Sequence, residues 1–65
     1  MIGTIIAQKR KEMGMSQEQL AEALLVSRSA VAKWESDNGM PDIENLKALS
    51  KVLGCSIDEL VGNVI

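Results

Sequence analysis

Apolar residues recur along this chain at three- and four-residue spacing, and no stretch alternates with period two for long enough to make a strand. Ile2, Ile5, Ile6 and Met13 share one stripe, with Lys9, Lys11 and Glu12 on other sides and Gly14 placed to close a helix over about residues 2–13. Ser16 and Gln19 form a capping box, with Met15 and Leu20 at the hydrophobic staple positions around it. Leu20, Ala21 and Leu24 make the buried side of a second helix over about 17–24. Ser27, flanked by Val26 and Val31 in the same staple arrangement, opens a third helix over about 28–36 after a tight turn. Asp42 behind Pro41 caps a fourth over about 43–53, with apolar Ile43, Leu46, Leu49, Val52 and Leu53 and a closing Gly54. Ser56 with Glu59, and Cys55 with Leu60, repeat the box and the staple for a fifth helix over about 57–62. The pattern predicts an all-α domain of five short helices.

Length narrows this further. A chain of 65 residues builds one core, so residues 1–65 read as a single domain. The longest apolar run, Ala23 to Val26, is far short of the roughly 18 residues of a membrane span, and no signal-like segment opens the chain. There is no His and a single Cys, Cys55, so a zinc site, a Cys/His nucleophile and an internal disulfide are all excluded. A core held by packing alone suits the reducing cytoplasm, which is the expected location. Asp37, Asp42 and Glu44 lie close together but do not follow the ligand order of a calcium loop, and Asp42 is accounted for as a cap. Cys55 at a staple position reads as a buried or half-buried thiol. Neither enzyme chemistry nor a cofactor or metal is expected.

Charge complicates the choice of partner. Seven Lys and Arg against nine Asp and Glu give a net −2, which by itself speaks against nucleic acid. The charges are unevenly spread, however: residues 1–36 hold five cations against four carboxylates, and residues 37–65 hold two against five. The acidity belongs mainly to the second half.

The third helix has a face that packing does not claim. At roughly 100° per residue, Arg28, Ala32, Ser36, Ser29 and Lys33 follow one another over about 140° of arc, while Ala30, Val31 and Trp34, the only aromatic residue, occupy the opposite side. The free arc offers two long cations, two hydroxyls and a methyl, and no carboxylate. Such a set can read base edges in a major groove, although ordinary surface helices also carry small polar residues. Its context adds weight: a short helix with Gln17 in its first turn precedes it across a tight turn, in a domain with no other visible site.

The run Ser16-Gln17-Glu18-Gln19-Leu20-Ala21-Glu22-Ala23-Leu24, then Val26-Ser27-Arg28-Ser29-Ala30-Val31 and Lys33-Trp34-Glu35, resembles the helix-turn-helix of the Cro/C1-type (Xre) repressors of bacteria and phages. Lys9-Arg10-Lys11, Pro41-Asp42 and Leu53-Gly54-Cys55-Ser56-Ile57-Asp58-Glu59-Leu60 resemble the flanking helices of that family. The resemblance implies a lambda-repressor-like fold in which the third helix docks in the major groove of double-stranded DNA. It implies Arg28, Ser29, Ala32 and Lys33 as base readers and Gln17, Ser27, Ser36 and Asn38 as backbone contacts. It also implies a partly buried ion pair between Arg10 and Glu35, which takes Arg10 off the DNA-binding set. Two positions depart from the family. Leu25 stands in the turn where Gly or Asn is frequent, and a Leu at positive φ is strained, so a slightly different turn is expected. Asp37 lies where relatives often supply a Lys for phosphate, so weak nonspecific affinity is expected.

A transcriptional regulator, expected to repress by occupying a pseudo-palindromic operator as a homodimer, follows from this reading. Apolar Val61, Val64 and Ile65 at the end of the chain are the candidate dimer contacts, setting two recognition helices roughly 34–36 Å apart. The alternative is a protein-interaction module, such as an antitoxin holding a toxin partner, which the acidic second half and its apolar end would suit.

Overall fold

Local side-chain chemistry starts most of the helices. The computed structural model describes residues 2–61, arranged as α1 (Ile2–Glu12), α2 (Gln17–Leu24), α3 (Arg28–Glu35), α4 (Ile43–Leu53) and α5 (Ile57–Val61), with no strand among the described residues. At the start of α2, Ser16 Oγ accepts from Gln19 N at 3.0 Å, and Gln19 Oε1 accepts from Ser16 N at 2.8 Å. Ser56 and Glu59 exchange the same pair of bonds before α5. Ser27 Oγ accepts from Ala30 N at 3.1 Å and Asp42 Oδ1 from Asn45 N at 2.9 Å, which caps α3 and α4. Each cap satisfies an amide that the first helical turn leaves without an intrahelical partner.

Left-handed residues end the first four helices: Gly14, Leu25, Asp37 and Gly54, with φ of 71°, 59°, 61° and 66°. The turn after α2 therefore keeps the left-handed geometry in spite of Leu25, against the expectation of an altered turn. Val26 N donates to Ala21 O at 3.0 Å and Leu25 N to Glu22 O at 3.2 Å, so two carbonyls at the end of α2 are satisfied by the reversal. Asp37 serves α3 in the same way, with Asn38 N donating to Lys33 O at 2.9 Å and Asp37 N to Trp34 O at 3.2 Å.

All five helices feed one core. Ile2 and Ile6 of α1, Leu20, Ala21 and Leu24 of α2, Val31 and Trp34 of α3, Leu49 and Leu53 of α4, and Leu60 of α5 are buried together. Around them pack the partly buried Ile5, Met15, Val26, Leu46, Val52 and Cys55. α2 lies against α3 and α4, α1 against α3 and α5, and α4 against α5. Two expected core members are excluded. Met13 is 53% exposed and Ile43 58%, because each stands at a helix end that extends past the packed centre. In their place α1 buries Gly3, where an added Cβ would lie 2.5 Å from Trp34 O and 2.6 Å from Glu35 O. α1 and the end of α3 touch backbone to backbone there.

Candidate nucleic-acid interface

On α3, packing separates two sides as the helical period requires. Val31 and Trp34 are buried and Ala30 is half-buried, whereas Arg28, Ser29, Lys33 and Ser36 are exposed and Ala32 is half-buried among them. Neither Arg28 nor Lys33 has an ion-pair partner among the described residues. Other cations are already engaged: Lys9 Nζ lies 3.7 Å from Glu59 Oε2, and Arg10 is held by Glu35.

The Arg10–Glu35 pair locks α1 to α3. Arg10 Nε donates to Glu35 Oε2 at 2.7 Å and Nη2 to Oε1 at 3.1 Å, and Nη1 reaches Met15 O at 2.8 Å in the loop before α2. The side chains are 11% and 8% exposed, so this fork is largely shielded from water. Burial disfavours the charge on Glu35, but hydrogen bonds from Arg10 and Gln17 outweigh it and hold the carboxyl below the usual Glu value.

Gln17 has a structural task that the sequence did not disclose. Its Nε2 donates to Glu35 Oε1 at 3.0 Å, so the amide at the start of α2 is oriented by the same carboxylate that holds α1. One amide hydrogen and the amide oxygen are left for other partners. Ser27, as the cap of α3, keeps its hydroxyl hydrogen to donate. Ser36 Oγ donates to Lys33 O at 3.2 Å and accepts from Asn38 Nδ2 at 3.1 Å, so these two residues form a local pair beyond the end of α3. Gln17 thus lies at the start of α2 beside Glu35 at the end of α3, Ser27 lies at the α2–α3 turn, and Ser36 and Asn38 follow the end of α3.

Asp37 is the residue whose role sequence reasoning missed. Its Oδ1 accepts from Gly3 N at 3.0 Å, so the carboxylate caps the first turn of α1 and faces the positive end of that helix. The separation of 34 positions leaves no local pattern from which it could be read. Val61 is 37% exposed, and Val64 and Ile65 lie outside the described residues. A shallow open groove bordered by Thr4, Ala7, Gln8, Lys11, Glu12 and Glu35 runs along α1, and none of the α3 arc residues lines it. No described helix is long and apolar enough to cross a membrane.

Known proteins share this fold. A helix-turn-helix family model matches residues 6–60. Over 56 residues the chain is 50% identical to the HTH-type transcriptional activator BcrR of Enterococcus faecalis, covering 86% of this chain and 28% of that protein. The chain thus spans less than a third of that relative's length. Its fold is similar to the c2 repressor protein of phage P22 solved in complex with a synthetic operator, with TM-score 0.89 and 40% identity over 92% of this chain and 91% of the other. SinR is comparably similar at 39% identity and TM-score 0.87, over 94% of this chain in both cases: bound to DNA, with 98% of that chain covered, and in a complex with the SinI protein, with 60% covered.

Proposed function

The chain belongs to the helix-turn-helix family of Cro/C1 type, and on that premise we propose that it is a sequence-specific DNA-binding transcriptional regulator whose α3 docks in the major groove. The observation that carries the proposal is the α3 arc: Arg28 and Lys33, without an ion-pair partner among the described residues, beside Ser29, Ala32 and Ser36, held on a helix whose other side is anchored by Val31 and Trp34. Arg28, Ser29, Ala32 and Lys33 face base edges. Gln17, Ser27 and Asn38 donate to phosphates, with Gln17 oriented for this by Glu35, and Ser36, whose hydroxyl hydrogen goes to Lys33 O, supports Asn38 by accepting from its Nδ2. Regulation is by occupancy in the cytoplasm, where the chromosome is accessible, and no catalytic step or cofactor enters it.

Binding as a homodimer to a pseudo-palindromic operator belongs to the same proposal, with Val61, Val64 and Ile65 as contacts between protomers and α3 helices roughly 34–36 Å apart. Both a repressor and an activator stand among the similar proteins, so the direction of regulation follows from where the operator lies relative to a promoter. The SinR/SinI likeness supports a second reading, in which a protein partner also docks on the domain.

Two substitutions test the central reading. Arg28→Ala is expected to cost about 1–3 kcal/mol of binding and to relax preference at one base pair, while Gln17→Ala weakens binding to all duplexes alike. Measured affinities on an operator panel that leave both variants equal to the wild type would overturn it. A sedimentation profile showing monomers at tens of micromolar, with and without DNA, would remove the dimer.

A further inference from the structure

The two long side chains of the α3 arc stand at its edges. At about 100° of turn per residue, the order around the helix axis is Arg28, Ala32, Ser36, Ser29 and then Lys33. The midline therefore carries a methyl and two hydroxymethyl groups, and the edges carry a guanidinium and an ammonium. A helix with so small a midline settles close to the floor of a groove, and side chains from its two edges lean toward opposite strands.

Both edge groups are donors with no acceptor atom, and both are exposed without an ion-pair partner among the described residues. Donor-only groups need acceptors. In the major groove guanine presents two, O6 and N7, whereas adenine sets a donor beside its acceptor, cytosine presents a donor, and thymine a single acceptor beside a methyl. The arc has no carboxylate to take the amino group of cytosine and no amide to fork onto adenine. Along the axis, Arg28 and Lys33 are about 7.5 Å apart. That is close to two base-pair rises of about 3.4 Å each.

We infer that the half-site read by α3 contains two G·C pairs about two base pairs apart, with their guanines on opposite strands, Arg28 forking onto one and Lys33 donating to the other. The inference rests on the DNA-binding reading above and narrows it to a base composition. The pair between the two guanines faces the small midline of α3 and is read less strictly.

The test selects duplexes from a random pool with the full chain, then measures affinity on the enriched half-site and its single-base variants. Replacing either G·C pair by A·T is expected to weaken wild-type binding about tenfold. Arg28→Ala removes the dependence on one of the two pairs only, and Lys33→Ala removes it on the other only. Circular dichroism of both variants accompanies the measurement, and because both side chains are exposed the spectra should match the wild type. An enriched motif with A·T at both positions overturns the assignment while leaving DNA binding intact. So does a Lys33→Ala variant that weakens all duplexes equally, since that places Lys33 on phosphate. A pool with no enriched motif overturns both this inference and the reading beneath it.

Discussion

Leu25 holds a conformation that its side chain opposes. At φ 59° and ψ 40° it sits in the left-handed region, which costs an L-residue with a Cβ about 1–2 kcal/mol, and at 91% exposure it recovers nothing by burial. Leu25→Asn should therefore stabilise the domain by about 0.5–1 kcal/mol, because Asn visits this region readily. Urea unfolding should show a higher midpoint with an unchanged slope; an unchanged or lower midpoint would mean the turn is not strained. Glu35 makes the opposite case, a residue on which much depends. Its carboxyl is depressed below the usual value of 4.5, although burial opposes its charge, because Arg10 and Gln17 donate to it. The stability it contributes is complete above its unfolded value and is lost as pH falls through the lowered one. Unfolding measured from pH 7 down to pH 2 should show this loss below about pH 4.5 in the wild type, and a smaller fall in Glu35→Gln. That variant should already be weaker at pH 7 by about 3 kcal/mol, since Arg10 is left without its counter-charge. Equal acid sensitivity in the two proteins would show that Glu35 is not the group responsible.

Among the elements, α1 and α3 are joined more closely than their sequences suggest. The first turn of α1 lies on the last carbonyls of α3 at Gly3, and Asp37 closes the contact from the other side. A methyl at Gly3 would have to displace backbone oxygens rather than a flexible side chain, so Gly3→Ala should destabilise by about 1–3 kcal/mol even though Ala is the better helix former. Thermal unfolding of the variant decides this, and a melting temperature at or above the wild type would refute the close approach. The same region shows what could be read in advance and what could not. Capping boxes at Ser16 and Ser56 span three positions and carry their own signature, and Gly14 and Gly54 announce the ends of α1 and α4. α2 and α3 end on Leu25 and Asp37, which carry no such mark, and α3 stops at Glu35 where the pattern suggested Ser36. Met13 and Ile43 kept the helical period but lay beyond the packed centre, a limit that periodicity cannot express. The pairing of Arg10 with Glu35 was implied by family resemblance, while the bond from Gln17 to Glu35 and that from Gly3 to Asp37 depend on tertiary contacts without a local trace.

For the whole molecule the net charge of −2 has to be reconciled with the proposed binding to DNA, a polyanion. Lys9 and Arg10 are engaged with Glu59 and Glu35, and residues 37–65 hold two cations against five carboxylates. Few cations remain to displace counterions. If Arg28 and Lys33 of two protomers supply most of the charge near the duplex, the slope of log affinity against log salt should have a magnitude below about 4. Titrations between about 50 and 200 mM salt measure it directly, and a magnitude near about 10 would show that many more cations reach the backbone. Specificity should then suffer less from salt than total affinity does in a basic protein, because more of the binding comes from uncharged donors and base contacts.

The hydrogen bond between Gly3 and Asp37 also closes a ring. Everything between them, α1, α2 and α3 with both intervening turns, becomes a loop whose two ends are tied. Fraying of the first turn of α1 and movement of the end of α3 are then coupled through that bond. The amide of Gly3, in the first turn of a helix where exchange with solvent is ordinarily fast, reports by its hydrogen exchange whether the far end of α3 is still in place.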